Sequence, residues 1–294
     1  MKIFITGGSG TLGQYLNLEL NRKHDILTQF NSNLGNCGSF NFVKLSIEDH
    51  SKLEKVFLSF KPDVVIHTAS VSNAEKADRL AADVVYDINV NATQYIAELC
   101  DRYKAKLIYT SSDLVYAGYR GSMLKEDSKL IPVSLYAETK LMGEVKIQQT
   151  FGNYIILRVA LMFGLGLNHS RNHFHFMSDE LRNGKAVKLF TDQYRTPLAL
   201  KEAARIISEL IERNISGEVI NLGGSDRLSR YELGEMFCEE AGFDKNLLIA
   251  ATMDEAGVSY KVADVSMNID KMKSLGIKPK TVRESLREII LNSI

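Results

Sequence analysis

The chain has 294 residues, 45% apolar and 24% charged, the make-up of a globular protein with a sizeable core, not of a disordered or fibrous chain. Lys plus Arg is 36 and Asp plus Glu is 36, so no surplus of positive charge points to nucleic acid or an anionic membrane. Cys37, Cys100 and Cys238 form no CxxC pair and suit a reducing cytosol, and the apolar start Met1–Ile5 is too short for a signal peptide or a membrane span.

Strand and helix signals alternate from the start. Lys2–Ile5 is a short apolar strand, and Thr11–Arg22 carries Leu12, Leu16 and Leu20 on one helical stripe. Ile26–Phe30 and Phe42–Leu45 read as strands. The stretch from Asp49 to Lys61 reads as a helix with Leu53, Val56, Phe57 and Phe60 inward, stopped by Pro62. Asp63–His67 is a strand apolar enough to be covered on both faces. Val84–Tyr103 reads as one long helix, followed by strand Lys106–Thr110, helix Tyr136–Thr150 and strand Tyr154–Arg158. Strands joined by helical crossovers predict an α/β fold with a doubly wound parallel sheet. Beyond residue 160 the pattern loosens: helices at Phe174–Asn183, Lys201–Arg213, Tyr231–Ala241 and Arg283–Leu291, strands at Val187–Phe190 and Glu218–Leu222. The expected division is a Rossmann core over 1–160 and a small substrate-binding lobe over 161–294, with about 198–222 returning to the core sheet.

Two short motifs carry the chemistry. Gly7-x-x-Gly10-x-x-Gly13 follows a strand and opens a helix, the context in which such glycines hold a dinucleotide. The first allows a tight turn, the second close approach of the backbone to a pyrophosphate, the third close packing of helix on sheet, and the helix N-terminus offers free N–H groups. The end of the second strand, Thr28-Gln29-Phe30-Asn31-Ser32-Asn33, lacks the acid that usually bonds the ribose diol of NAD. Charge alone therefore favours NADP over NAD, although no Lys or Arg stands within that stretch to attract a 2′-phosphate. Downstream, Tyr136 and Lys140 lie one helical turn apart on one face, where a phenol and an ammonium can pass a proton to or from a carbonyl oxygen. A nearby Lys140 charge would lower the phenol's pKa. Ser112, at the carboxyl end of the fifth strand, would hold that oxygen. Its neighbour Asp113 is either a second acid towards substrate or a turn-bonding residue.

Over nearly its whole length the chain resembles the extended short-chain dehydrogenase/reductase superfamily, and within it the dTDP-4-dehydrorhamnose reductase family. That family's TGxxGxLG is similar to Thr6–Gly13, its S-T-D-x-V-[FY] to Ser111–Tyr116 with Ser112 in the threonine's place, and its Y-G-x-[ST]-K-x-x-G-E to Tyr136–Glu144. Its helix asparagine is similar to Asn89, its strand-end arginine to Arg158, and its D-Q-x-x-[ST]-P to Asp192–Pro197. The resemblance implies that Tyr136 is the proton donor and Lys140 its partner on the nicotinamide ribose, that Ser112 positions the carbonyl, and that Asn89 supports a relay water. It implies that Gly7, Gly10, Thr11, Leu12 and Gly13 hold the pyrophosphate, with Asn31 and Ser32 at the ribose, Ile47 beside the adenine, Thr68, Ala69 and Ser70 along the ribose side, and Val159 at the carboxamide. Arg195 and Thr196 would face the sugar nucleotide, unless Arg195 pairs with Asp192 at the surface. Departures from the pattern are Ser46, Ala137, the absence of Trp and a long Asn73–Asp87 stretch.

The resemblance thus implies a cytoplasmic NAD(P)H-dependent reductase of a keto group on a nucleotide-activated sugar, with no nucleic-acid or membrane partner and a homodimer left open. An epimerase or dehydratase, or a cofactor-binding regulatory subunit, are the alternatives. His169, His173 and His175 have metal-like spacing, but no local Glu or Cys joins them and no metal is expected. His67, ending a covered strand, reads as a packed residue near the cofactor.

Overall fold

A computed structural model describes residues 1–292; the last two residues of the 161–294 stretch lie outside the described residues. Strands and helices run β1 (Lys2–Thr6), α1 (Thr11–Leu20), β2 (Asp25–Phe30), β3 (Asn41–Lys44), α2 (His50–Phe60), β4 (Val64–His67), α3 (Ala74–Asp78), α4 (Ala82–Tyr86), α5 (Ala92–Tyr103), β5 (Lys106–Ser112), α6 (Leu135–Thr150) and β6 (Tyr154–Val159). The second part of the chain holds β7 (Met162–Phe163), α7 (His173–Arg182), β8 (Val187–Phe190), β9 (Tyr194–Arg195), β10 (Leu198–Ala199), α8 (Leu200–Ile211), β11 (Glu218–Leu222), β12 (Leu228–Ser229), α9 (Arg230–Ala241), β13 (Leu248–Ala251), α10 (Asp270–Ser274) and α11 (Val282–Leu291).

Seven strands form one sheet in the order β11-β6-β5-β4-β1-β2-β3, every pair parallel. This is the doubly wound α/β architecture that the alternating signals predict. The order reverses between β1 and β4, and the crevice outside the carboxyl ends at that switch point is where such sheets bind ligands. One face is covered by α1 and α8, whose Leu12, Leu16, Ala203 and Ile207 meet Ile5, Ile66 and Leu157. The other is covered by α2, α5 and α6 through Leu53, Phe57, Ile96 and Ile147 against Phe4, Val65 and Ile156. With both faces buried the strands read as near-continuous apolar runs.

Local chemistry sets the helix ends. Asp49 caps α2 by accepting from Lys52 N at 3.0 Å, and the helix closes at Lys61 in the left-handed region just before Pro62. Ser134 caps α6 through Ala137 N at 3.3 Å, fixing the first turn that carries Tyr136. The long helix expected over Val84–Tyr103 is broken by a π-turn over Asp87–Asn91, whose extra residue turns Asn89 into the interior. The later residues gather around their own apolar core of Phe163, Phe174, Phe237, Val282 and Leu286. The short strands β7, β9, β10 and β12, two residues each, are too brief to leave a periodic signal.

Candidate active site

At the switch point, Gly7 turns with φ +68°, and a Cβ on it would lie 2.6 Å from Ala69 N. A Cβ on Gly13 would lie 2.1 Å from Gly7 O, so α1 could not approach the loop with any larger residue. Helix α1 begins after Gly10 with no side-chain cap and no acid in its first turn. Its leading N–H groups and its dipole are therefore free for an anion. Gln29 holds the loop from beside: its Oε1 accepts from Gly7 N at 2.8 Å and its Nε2 donates to Leu45 O at 2.6 Å. A fully polar side chain inside β2 was the signal for this role, and reading for an acid at the strand end passed over it. The loop after β7 also reaches α1, where Gln14 Nε2 donates to Leu167 O at 3.0 Å and to Ser170 Oγ at 2.9 Å.

Thr68, Ala69 and Ser70 leave β4 half-buried along this cradle, with Thr68 Oγ1 donating to Thr6 O at 2.7 Å. Thr11 is half-buried, Leu12 and Ile47 are buried, and Asn31 and Ser32 are exposed just past β2. Val159 ends β6 in register with Ser112, so these two strand ends are level.

The structure brings Ser112, Tyr136 and Asp113 together. Burial pushes the Tyr136 phenol up to about 12, a hydrogen bond with Ser112 eases it and the Asp113 charge raises it. Lys140 is buried on the same helix face with its Nζ 4.2 Å above the Tyr109 ring. Burial lowers its pKa to about 7, partly offset by the Glu144 carboxylate. The expectation that Lys140 would pull the phenol down is not what this geometry shows, because burial dominates both groups. Asn89 accepts from Val71 N at 2.8 Å and donates to Thr139 Oγ1 at 3.0 Å, pinning the π-turn to α6.

The model of the RmlD substrate binding domain family matches residues 1–293. The chain belongs to that family. A dTDP-4-dehydrorhamnose reductase of Aggregatibacter actinomycetemcomitans is 26% identical, with 98% of both chains covered. The methionine adenosyltransferase 2 subunit beta of Xenopus laevis is also 26% identical, over 98% of this chain and 87% of the relative. In fold the chain is similar to a dTDP-4-dehydrorhamnose reductase of Bacillus anthracis str. Ames solved in complex with NADP, at TM-score 0.88 and 22% identity over 99% of each.

The far wall of this RmlD-family crevice is built from charge. Asp113 Oδ1 accepts from Ser112 Oγ at 3.2 Å, and its buried Oδ2, without a hydrogen bond, lies 3.6 Å from Arg195 Nε. Arg195 is buried and donates to Tyr194 O at 2.6 Å and Val262 O at 3.2 Å. It does not pair with Asp192, whose carboxylate accepts from Met253 N. Arg230 donates to Gln193 Oε1 at 3.0 Å, and burial and then the Arg195 charge lower its pKa to about 9. Thr196 is fully buried with its hydroxyl accepting from Met267 N at 3.3 Å, so it offers no surface to a ligand. Behind α6, Arg158 pairs with Glu144 at 2.9 Å, both buried, and donates to Tyr116 OH at 3.0 Å. Glu144 could be found in the sequence from its place one turn after Lys140 on the same face. The three histidines diverge: His173 is an exposed residue at the start of α7 that feels the Arg230 charge, and His175 Nδ1 accepts from Gly166 N at 3.2 Å. Among the described residues no three His, Cys, Asp or Glu side chains group as metal ligands, and no helix is long and apolar enough to cross a membrane.

Proposed function

We propose that the protein is an oxidoreductase that uses NADPH, in preference to NADH, to reduce a keto group on a nucleotide-activated sugar. The observation that carries this reading is the contact of Tyr136 with Ser112, with Lys140 buried one turn further along the same helix, in a chain whose glycine loop has no room for a Cβ at Gly7, Gly8 or Gly13. The fit to a dinucleotide rests on the same loop: an uncapped helix start without acids, and glycines where side chains would collide with backbone. Gly7, Gly10, Thr11, Leu12 and Gly13 would hold the pyrophosphate, Asn31, Ser32 and Ile47 the adenosine end, Thr68, Ala69 and Ser70 the ribose side, and Val159 the carboxamide. When bound, the reduced nicotinamide supplies hydride to the carbonyl carbon.

The chain's own residues then act on the oxygen. Ser112 holds it by a hydrogen bond, and Tyr136, protonated at neutral pH because burial keeps its pKa near 12, delivers the proton. Lys140, in its charged form, stabilises the phenolate left behind, and Asn89 orients the turn that faces it. Arg195 and Arg230 together carry one more charge than Asp113 cancels. That surplus suits the anionic diphosphate of the substrate once water is excluded. In this reading 1–160 is the cofactor half and 161–294 the substrate lobe, with 198–222 returning to the sheet. The three free, buried cysteines fit action in a reducing cytoplasm.

The test is NADPH consumption on addition of dTDP-4-dehydrorhamnose, beside a titration of NADPH binding by fluorescence. Tight binding without consumption of any keto sugar nucleotide would favour a non-catalytic cofactor-binding subunit; one relative is named as a subunit, methionine adenosyltransferase 2 subunit beta. Turnover by the wild type and none by Tyr136→Phe would support the reductase reading.

A further inference from the structure

His67 is fully buried at the end of β4 and takes no part in the proposed proton transfer. It lies in register with Thr6 at the end of β1 and with Tyr109 on β5. Its Nδ1 is 2.6 Å from Thr6 Oγ1 and its Nε2 is 2.9 Å from Thr93 Oγ1. Beyond these, Ala69 N donates to Thr6 Oγ1 at 3.4 Å, and Thr93 Oγ1 donates to Asn89 O at 2.8 Å. The bonds form one continuous buried chain from the residue packed against Gly7 to the π-turn packed against α6.

Counting protons fixes the direction of that chain. Each threonine hydroxyl has one proton. The Thr93 proton is committed to Asn89 O, so Thr93 can only accept from His67, and the imidazole must carry its proton on Nε2. Nδ1 is then bare and accepts from Thr6, whose oxygen accepts in turn from Ala69 N. The opposite tautomer would leave the Thr6 proton without an acceptor in this chain and would withdraw Thr93 from Asn89. Thr93 is also within hydrogen-bond reach of the Tyr109 phenol, and a bond there would use the same proton and leave His67 the donor all the same. An imidazolium would present a donor to both threonines and reverse the Thr6 bond. The charged and titratable groups around the ring are Lys140 and Tyr109; burial first, and the Lys140 charge second, lower the imidazole's pKa to about 3.

The end of the chain is where contact with the catalytic helix is closest. A Cβ on Gly143 would lie 3.2 Å from Asn89 O and 2.5 Å from Tyr109 Oη, so α6 rests directly on the carbonyl that Thr93 holds. A shift of that carbonyl moves the floor under Lys140 and Tyr136.

We propose that His67 is a positioning residue: as the neutral Nε2–H tautomer it ties the strand end beneath the glycine loop, through Thr6, to the Asn89 turn beneath the catalytic helix, through Thr93. The inference rests on the reductase reading for its kinetic consequence, but not for the tautomer itself.

Two measurements separate these. Nitrogen-15 NMR of histidine-labelled wild-type protein, with His67→Asn used to assign the resonance, should show a bare Nδ1 and a protonated Nε2 that do not titrate between about pH 5 and about pH 9. A titrating ring or the Nδ1–H tautomer overturns the proposal, whatever the protein's activity. Thr93→Val keeps the side chain's shape and removes both of its bonds. It should shift the His67 nitrogens and lower turnover about tenfold, the scale of a small misplacement of reacting groups, while NADPH affinity by fluorescence stays within about twofold. A loss of melting temperature with turnover per folded molecule unchanged would mean a merely structural role and would overturn the proposal. If the wild type reduces no keto sugar nucleotide, the reading of function fails, and the NMR result still decides the tautomer.

Discussion

The two walls of the crevice are made of opposite materials. On the core side the wall consists of backbone amides and neutral side chains: the glycine loop with the buried Gln29 that holds it, Thr68 and the uncapped start of α1. On the lobe side the wall is made of charges, the buried Asp113 and Arg195 and the half-buried Arg230, drawn from three separate stretches of chain. A backbone wall gets its shape from what is missing, since a Cβ at Gly7, Gly8 or Gly13 would collide with a main-chain or side-chain atom. A charged wall gets its shape from balance, because an unpaired buried charge is costly and must meet a counter-ion or a ligand. The first kind suits a partner of constant shape. The second kind suits a partner recognised by its charge.

Between the walls stands Tyr136, and the largest effect is expected there. Tyr136→Phe keeps the ring and its packing but removes the hydroxyl proposed to donate the proton, so turnover should fall by about 10²–10⁴-fold. NADPH binding should stay near the wild-type value, because the backbone wall is untouched. A matched loss of binding and turnover would mean that the phenol belongs to the cofactor wall and that the division between walls is drawn in the wrong place.

Lys140→Met tests the seam from the other side. The lysine is buried with its pKa lowered to about 7 by burial, against an ordinary value of 10.5. Between those values the unfolded chain binds more protons than the folded one, so stability rises with pH across that window. The destabilisation is full below about pH 7 and fades as pH climbs towards 10.5. Replacing the lysine should therefore raise the melting temperature, by more at about pH 6 than at about pH 10, while abolishing turnover. A melting temperature that falls equally at both pH values would show that the ammonium is paired and stabilising where it lies. In the wild type, reduction should slow as pH rises through about 7, as the charged form is lost.

Arg195→Ala should break the charged wall alone. Loss of a charge-assisted bond to the substrate costs about 1.5–3 kcal/mol, which would appear as a rise in KM or in the Kd of a substrate analogue at unchanged NADPH affinity. Asp113 would be left with a more distant cation, Arg230, so some loss of stability should accompany it. An unchanged KM would assign Arg195 to holding Asp113 and Val262 only.

How much of this was legible in the sequence follows the same divide. The core side is local: Gly7, Gly10 and Gly13 fall within one short stretch at the β1–α1 turn, and Tyr136 and Lys140 are one turn apart, so spacing alone places them. The central sheet was readable because its strands are apolar on both faces and punctuated by Pro62 and the glycines. The lobe side is not local. Asp113 meets Arg195 across 82 residues of chain, a distance that no periodicity encodes. Residue Asn89 was named from a resemblance, but the π-turn that aims it inward leaves no trace in an apolar pattern. Gln29 was overlooked because an amide inside a strand differs from an acid at its end only through the groups it meets, Gly7 N and Leu45 O.

The smallest expected effect concerns the choice of cofactor, and it sharpens the contrast at the one place where the core wall is exposed. No carboxylate follows β2, so nothing there repels a 2′-phosphate, and Asn31 and Ser32 are open to solvent. Within the Thr28–Asn33 stretch no cation attracts one either. The sheet supplies what the stretch lacks: β3 lies beside β2 with Lys44 in register with Phe30, which puts an exposed lysine one strand away from the residue before Asn31. Glu48 lies close by in sequence, hydrogen-bonded to Ser46 Oγ at 2.8 Å, and offsets part of that charge. An exposed ion pair contributes about 0.2–1 kcal/mol, so NADPH should be preferred over NADH by no more than about fivefold, and less at high salt. Lys44→Ala should bring the two cofactors nearly level without changing the affinity for NADH. Parallel titrations of both reduced cofactors decide it. A clear preference for NADH would mean that Asn31 or Ser32 holds the ribose diol by neutral hydrogen bonds, and the core wall would then be free of charge recognition even at its edge.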